Sequence, residues 1–322
     1  MLTTRNNGLN TPVLFLIFNR KEVTQQVFDQ IRKVKPKYLY VAADGPRSNK
    51  PDDFIKCNET RAIINQIDWE CDLKTLFRTE NLGCGPGVSS GIDWFFSQVE
   101  TGIVLEDDCY PNLTFFQFCE ELLEKYKDND SIKVIGGSNF QNNNQRGDAS
   151  YYYSKYPTSW GWASWRRSWN LFNADISEAE QHINDGHLNS VFNSTAEKKH
   201  WIRSFVMAHK EIKDVWDFQF YYAIWKNNGT CIVPNKNLII NLGLSNDGTH
   251  FFLKDSTRSN DKAEDMVFPL THPVNISISK AADIYTFDHL YSHSWERAVR
   301  LLKENSFYSI YKYFLNRFFK IR

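Results

Sequence analysis

Short apolar runs alternate with helical stretches through residues 13–135. The apolar runs begin at Val13, Tyr38, Leu73, Gly102 and Ile132. A continuous apolar run is typical of a strand that is buried on both faces of a parallel sheet. Strand–helix units that repeat in this way predict a Rossmann-like α/β fold, with a mostly parallel sheet flanked by helices.

Polar residues follow the first four predicted strands, at the point where each strand ends. Arg20 follows the first, Asp44 the second and Arg78 the third, while the fourth runs directly into Glu106–Asp108. Ligands of such sheets bind beyond the carboxyl ends of the strands, so we expect these residues to line one ligand-binding edge. Arg20 has an ordinary alternative as an exposed residue at a helix start, and Asp44 as part of an Asp-Gly turn.

The acidic run Glu106, Asp107 and Asp108 is the strongest chemical signal in the sequence. Adjacent carboxylates at the end of a buried strand repel each other and lose hydration, so they need a cation or several donors. Mg²⁺ and Mn²⁺ prefer carboxylate oxygens and keep open positions for substrate phosphates. The alternative is a solvated acidic turn before the next helix. The position at the ligand-binding edge favours a metal site.

Three segments carry a resemblance to known glycosyltransferases. IVLEDDCYPNLTFFQF resembles the Glu-Asp-Asp segment of the N-acetylglucosaminyltransferases that start complex N-glycans, and TPVLFLIFNR resembles their first strand. TENLGCGPGVSSGIDWFF is similar to the Asn-Leu-Gly segment of family-two-like transferases. A group of bacterial transferase-like proteins with W-D-[FY]-Q and D-G-T-H segments is also similar. In motif order the resemblance covers most of residues 11–250, with no match over 170–210.

The resemblance implies a GT-A fold for residues 1–296. The nucleotide-binding half would span about residues 11–140 and an irregular acceptor-side half about residues 141–260. The implied function is metal-dependent transfer of a sugar from a nucleotide-diphosphate donor, with uridine as the base, to a glycan or lipid-linked acceptor. The reaction would be inverting.

The resemblance also implies roles for the residues at the predicted edge. Asp108 would be the direct ligand of Mn²⁺ (or Mg²⁺), and Glu106 and Asp107 would contact the ribose or the donor sugar. Arg20 would lie at the nucleotide, and Asp44 would accept a hydrogen bond from the base.

Two further elements are candidates for donor binding. The segment YPTSWGWASW contains Trp160, Gly161 and Trp162, and the resemblance implies that it forms the floor under a sugar. The alternative is a set of large aromatic residues in an interdomain core. Arg78 is a weaker candidate as a partner of a phosphate or carboxylate.

Asp217 and His250 are candidates for catalysis and metal binding. The resemblance implies that Asp217, in the segment WDFQ, is the base that deprotonates the acceptor hydroxyl. The related enzymes have two adjacent acids there, whereas Phe218 follows here, and helix capping by Asp217 is the alternative. His250, at the end of NDGTH, would complete the coordination of the metal or diphosphate. Its alternative is an ordinary surface histidine.

Residues 297–322 are predicted to form a basic amphipathic helix. They contain seven basic residues and one acidic residue, and an apolar face recurs at helical spacing from Phe307 to Ile321. Such a helix can lie on an anionic membrane surface, which would place the protein at the inner face of the membrane. The alternative is that it packs on its own domain.

Charge and cysteine usage restrict the remaining possibilities. Lys and Arg together number 38, as do Asp and Glu, so we expect no nucleic-acid partner. The six cysteines form no C-x-x-C pair, and without a secretory signal they are expected to be reduced thiols of a cytoplasmic protein. Two rival functions stay open, a nucleotidyltransferase that makes activated sugars and a non-catalytic carbohydrate-binding protein on the same fold.

Overall fold

The computed structural model describes residues 8–142, 144–210, 214–244 and 262–292. The strands in this part of the chain are β1 Val13–Ile17, β2 Tyr38–Ala43, β3 Asp72–Phe77, β4 Thr101–Glu106, β5 Cys109–Pro111, β6 Ile132–Gly136, β7 Tyr151–Ser154, β8 Trp162–Trp165, β9 Thr230–Pro234 and β10 Ile239–Asn241. The α-helices are α1 Lys21–Val34, α2 Asp53–Arg61, α3 Cys84–Phe96, α4 Leu113–Lys125, α5 Arg166–Trp169, α6 Ala179–Asn184, α7 Thr195–Lys210, α8 Asp217–Lys226 and α9 Lys280–Thr286.

The central sheet has eight strands in the order β3-β2-β1-β4-β8-β6-β9-β7. Six of the eight run in the same direction, and only β7 and β8 run opposite to them. A separate two-stranded sheet pairs β5 with β10 in antiparallel fashion. The predicted fold class, a mostly parallel Rossmann-like sheet flanked by helices, is confirmed.

Alternate residues of β1 supply the two layers of the core. All five residues of β1 are buried, as its apolar run predicts. Phe15 belongs to the cluster that includes Phe28 of α1 and Phe118 of α4. Leu14 points to the opposite face and belongs to the cluster that includes Phe95 of α3 and Phe220 of α8. The period-two alternation of the strand thus holds helices on both faces of the sheet.

The chain after residue 141 contributes strands that the sequence pattern did not reveal. β8 inserts between β4 and β6 and pairs antiparallel with both. Every residue of β7 and β8 is buried. A strand of this kind shows no polar alternation, and its aromatic composition is also compatible with a loop or a ligand-binding platform.

Helix α9 covers the outer strands through a buried polar network. The Asp283 carboxylate accepts a hydrogen bond of 2.6 Å from the Ser154 hydroxyl at the end of β7. The neighbouring Lys155 ammonium lies 2.7 Å from a Glu197 carboxylate oxygen, and both side chains are almost fully buried. Burial raises the pKa of Asp283 to about 6, although the Ser154 hydrogen bond and the Lys155 charge oppose the shift.

No helix within residues 8–142, 144–210, 214–244 and 262–292 is long and apolar enough to cross a membrane. The amphipathic helix predicted for residues 297–322 lies outside the described residues. Its contact with a membrane or with its own domain therefore stays a prediction, as does the division of residues 1–296 into two halves.

We predict that Asp283→Asn changes how the stability of the protein depends on pH. The folded protein binds the Asp283 proton more tightly than the unfolded chain, because the pKa rises from 3.8 to about 6. The resulting stabilisation is complete below about pH 4 and is lost as the pH rises through 6. Between pH 4 and pH 7 the unfolding free energy of the variant should therefore gain about 2 kcal/mol relative to wild type. Denaturant titrations across this range measure the difference, and parallel profiles would contradict the assignment.

Candidate active site

The four predicted polar clusters meet at one edge of the sheet. Strands β1, β2, β3 and β4 are parallel neighbours, so their carboxyl ends point the same way. Arg20 follows β1, Asp44 directly follows β2, Arg78 follows β3, and Glu106–Asp108 lies at the end of β4. The register pairs Leu16 of β1 with Glu106, which brings the residues after β1 beside the acidic run.

Arg20 forms ion pairs with two of the three acidic residues. Its Nη2 atom lies 2.9 Å from Asp108 Oδ2. Its Nε atom donates a hydrogen bond of 3.3 Å to Asp107 Oδ2, and Nη2 also contacts Asp107 Oδ1. Burial opposes the positive charge, but the charges and hydrogen bonds of Asp107 and Asp108 outweigh it and raise the pKa of Arg20. A single guanidinium therefore bridges two adjacent carboxylates.

The third carboxyl of the run has no comparable partner among these contacts. Burial raises the pKa of Glu106 well above its ordinary value, and the nearby charges of Asp108, Asp107 and Asp217 raise it further. Arg20 offsets this only in part. The carboxyl groups of the run thus outnumber the one arginine that pairs with them, and burial favours the neutral form of Glu106.

Asp217 comes from the other half of the chain and joins this group. It is the first residue of α8, after Trp216 at the cap position. Its Oδ1 atom accepts a hydrogen bond of 3.0 Å from the amide of Phe218. The charge of Asp217 is one of the influences that raise the pKa of Glu106, so the two carboxyl groups interact electrostatically although they are far apart in the sequence.

Asp44 organises the loop after β3. Its two carboxylate oxygens accept hydrogen bonds of 2.9 to 3.1 Å from the amides of Gly45, Leu82 and Gly83. The side-chain amide of Asn81 donates another, of 2.8 Å. Both oxygens are therefore engaged inside the protein. A contact between Asp44 and a base stays a prediction, whereas its role in holding residues 81–83 is visible in the structure.

Two arginines stabilise the ends of β2 and β3. The Nη2 atom of Arg78 donates a hydrogen bond of 2.8 Å to the Ser90 hydroxyl of α3. Arg61, at the end of α2, donates hydrogen bonds to the backbone carbonyls of Asp44 and Arg78, at 3.0 and 2.6 Å. The sequence did not reveal this role, because Arg61 lies 17 residues from both partners and belongs to no motif.

The aromatic segment around Gly161 divides between surface and core. Trp162 is only 1% exposed, and its ring packs against Phe220 at 5.0 Å and stacks on Trp216 at 6.1 Å. Trp162 therefore lies in the core, which agrees with the alternative interpretation of this segment as core aromatic residues. We propose no sugar contact for it. Trp160 is partly buried and meets Phe140 edge-on at 5.2 Å.

Gly161 allows a close approach between β8 and the second sheet. It has a φ of +61°, and a Cβ atom there would lie 2.5 Å from Ile239 Cδ1. Its carbonyl accepts a hydrogen bond of 2.8 Å from the Gly137 amide. Packing alone thus explains the glycine.

The chain after β10 passes directly over Asp108. The amide of Leu242 donates a hydrogen bond of 2.8 Å to the Asp108 carbonyl. A Cβ atom at Gly243 would lie 2.4 Å from Asp108 Oδ2. His250 lies outside the described residues, so its place in the metal site stays a prediction. Within the part of the chain that the structure describes, no three His, Cys, Asp or Glu side chains converge closely enough to enclose a metal ion.

No protein-family model matches the sequence, and no curated protein matches it. Among solved structures, a mannosyltransferase from Pyrobaculum calidifontis in complex with GDP-Man and Mn²⁺ is similar over 67% of this chain and 70% of that chain, with 10% identity and a TM-score of 0.35. An apo UDP-glucose pyrophosphorylase is similar over 71% and 93%, with 9% identity and a TM-score of 0.38. A bifunctional glycosyltransferase is similar over 70% of this chain and 38% of that chain, with 8% identity and a TM-score of 0.34. Similarities of this size carry no argument about activity.

We predict that Asp44→Ala loosens the loop after β3 and lowers the stability of the protein. Hydrogen bonds to a charged group contribute about 1.5–3 kcal/mol, so we expect a loss of about 2–3 kcal/mol in unfolding free energy. The amides of Leu82 and Gly83 should exchange with solvent faster than in wild type.

Asp68→Ala is the matched control for Asp44→Ala. The Asp68 side chain is 56% exposed and pairs with Arg32 at the surface, where solvent screens an ion pair and its contribution to stability is small. Equal stability losses in the two variants would show that the hydrogen bonds of Asp44 have no special role.

Proposed function

We propose that this chain is a metal-dependent glycosyltransferase that moves a sugar from a nucleotide-diphosphate donor to a glycan or lipid-linked acceptor. The observation that carries the proposal is the run of three carboxyl groups at the end of β4, two of which pair with Arg20. The charge of Asp217 also acts on the pKa of Glu106 in this run. The resemblance to the N-acetylglucosaminyltransferases supports UDP as the nucleotide and inversion at the anomeric carbon.

The residues at this edge fit a divalent cation by their chemistry. Carboxylate oxygens are the ligands that Mg²⁺ and Mn²⁺ prefer, and Mg²⁺ is often held by one or two carboxylates together with substrate phosphates. Such a cation needs no enclosed group of three side chains. Asp108 would hold it, and His250 is the candidate for a second protein ligand. The cation would neutralise charge on the departing nucleoside diphosphate.

Arg20 has two alternative partners in this proposal. Without a donor it neutralises Asp107 and Asp108. A cation at Asp108 would compete for the same carboxylate and leave a guanidinium N–H group for a phosphate or the ribose. Arginine suits this exchange because its planar guanidinium group can donate two parallel hydrogen bonds either to a carboxylate or to a phosphate.

Asp217 would act as the base for the acceptor hydroxyl. It is the first residue of α8, within the half that would bind the acceptor, whereas the predicted donor residues follow the parallel strands. A base on the side opposite the donor phosphates is what displacement with inversion requires. Glu106 and Asp107 would contact the ribose or donor sugar, and Trp160 is the tryptophan of its segment that keeps partial exposure.

We predict that Asp108→Ala impairs donor binding, whereas Asp217→Ala impairs the reaction itself. With UDP-glucose, UDP-N-acetylglucosamine and GDP-mannose as a donor panel, Asp108→Ala should weaken Mn²⁺-dependent donor binding about tenfold or more, because an ion-coordinating charge is lost. Asp217→Ala should bind the donor as wild type does and lose about 10²–10⁴-fold in sugar transfer or donor hydrolysis. Calorimetry and nucleotide release measure the two effects.

The same panel distinguishes the rival functions. Release of pyrophosphate from a nucleoside triphosphate and a sugar 1-phosphate would identify a nucleotidyltransferase. Glycan binding without any turnover of a donor would identify a carbohydrate-binding protein. Equal donor affinity of wild type and Asp108→Ala would remove the metal assignment.

We predict that Arg20→Gln binds Mn²⁺ more tightly than wild type in the absence of nucleotide. The substitution removes the ion pairs that occupy Asp107 and Asp108, and a competing interaction of about 1.4 kcal/mol corresponds to a tenfold change in affinity. With Mn²⁺ present, the variant should bind UDP more weakly. Titrations of the Mn²⁺ electron paramagnetic resonance signal measure the first effect, with Arg32→Gln as the control. Unchanged Mn²⁺ affinity in Arg20→Gln would contradict the exchange of partners.

A further inference from the structure

Residues 81–87 (NLGCGPG) comprise the turn before α3 and the first residues of that helix. This segment, here called the glycine loop, is held from both halves of the chain. Asp44, after β2, accepts hydrogen bonds from the amides of Leu82 and Gly83 at the start of the loop. Asp214, just before α8, accepts a hydrogen bond of 2.8 Å from the amide of Gly85, 129 residues away. The loop thus connects the edge of the predicted donor site to the acceptor-side half.

The contact with residues 214–215 leaves no room for a side chain at Gly83 or Gly85 of the loop. Gly83 has a φ of +84°, and a Cβ atom there would lie 2.5 Å from Asp214 Oδ1. A Cβ atom at Gly85 would lie 2.9 Å from both the amide nitrogen and the carbonyl oxygen of Val215. Since real Cβ atoms do not approach backbone so closely, the two glycines let residues 214–215 pack directly on the loop.

The Asp214 carboxylate lies at the amino end of α3, where it accepts a hydrogen bond from the helix. Gly83 caps α3 without any side-chain hydrogen bond of its own, and Asp214 accepts from Gly85 in the first turn. A negative group is favoured at that end of a helix. Asp214 therefore takes the place that an anionic ligand would otherwise fill, and its role is to join two segments of the protein.

The segment that Asp214 anchors leads directly into the proposed base. Val215 and Trp216 connect Asp214 to Asp217, and Trp216 is 4% exposed with its ring stacked on Trp162 at 6.1 Å. The start of α8 is therefore fixed at two points, by the Trp216 ring in the core and by the Asp214 carboxylate on the glycine loop.

We propose that Asp214 is a positioning residue, which locks the start of α8 onto the glycine loop and so sets where the Asp217 carboxylate stands at the donor site. The inference rests on the proposed function, since it assumes that Asp217 is the base. The predicted signature is a loss of reaction rate without a loss of donor binding. A catalytic group displaced by about 1 Å can cost on the order of 10²-fold in rate.

The test compares Asp214→Ala, Asp214→Asn and wild type with the donor of the panel that wild type turns over. In Asp214→Ala the rate at saturating donor should fall about 10- to 100-fold, while the dissociation constant of UDP with Mn²⁺ stays within about twofold. Asp214→Asn keeps an oxygen that can accept from Gly85 and should recover most of the rate. A role in stability alone would lower the midpoint of thermal unfolding and leave the rate of the folded variant unchanged.

Two further variants complete the design. Asp175→Ala is the matched control, because Asp175 also accepts a backbone hydrogen bond, of 2.9 Å from Ser177, at an exposed site. If Asp214→Ala does not fold, Gly85→Ala displaces the same segment without removing the carboxylate, and it should give the same fall in rate at unchanged UDP affinity.

The outcomes separate this inference from the proposed function. A folded Asp214→Ala variant with the wild-type rate would overturn the positioning role alone, and so would rate and UDP affinity that fall together. A wild-type protein that neither binds UDP with Mn²⁺ nor turns over any donor would remove the proposed function, and the role of Asp214 with it.

Discussion

The ion pairs between Arg20 and the carboxylates at the end of β4 are the interaction on which the site depends. The sheet delivers three adjacent acids to a desolvated edge, where their mutual repulsion opposes folding. Arg20 reaches them because β1 and β4 are parallel neighbours in register. Removal of one partner from such a buried group would leave an uncompensated charge, which is strongly destabilising. A site of this kind is more stable with a cation beside the carboxylates, whether the cation is Arg20 or a metal ion.

A second constraint is the close packing of two halves of the chain at the site. The first half supplies the parallel strands and the glycine loop, and the second supplies α8 and the strand β10 that leads over Asp108. Glycines at positions 83, 85 and 243 stand where a Cβ atom would collide with the opposite segment or with Asp108. Small residues at these contacts let backbone and carboxylates meet without intervening side chains.

The parallel part of the sheet could be predicted from the sequence because its signals are local. The continuous apolar run of β1 depends only on neighbouring residues, and the structure confirms that this strand is buried. Strand β8 could not be predicted, because its four residues WASW are neither a continuous apolar run nor an alternating pattern, and they also suit a loop or a ligand-binding platform. The meeting of Arg20, Asp44, Arg78 and the acidic run at one edge could also be predicted, because the carboxyl ends of neighbouring parallel strands lie at the same edge of a sheet.

The partners of the site residues were harder to predict than their positions. Nothing near Asp44 in the sequence indicates that its oxygens bind the amides of Leu82 and Gly83. The contact between Asp214 and Gly85 spans 129 residues and depends on how the two halves pack. Such contacts arise only in the folded chain, and no motif records them. Trp162 shows the converse, since a residue type suited to sugar binding serves in the core.

The most direct test of the central claim is anomalous diffraction at the manganese edge from crystals grown with Mn²⁺ and UDP. The account predicts one strong peak about 2.0–2.2 Å from an Asp108 carboxylate oxygen, with the diphosphate on its other side and Arg20 turned from Asp108 towards the nucleotide. UDP bound elsewhere, or bound here with no peak and with Arg20 still paired to Asp108, would contradict it.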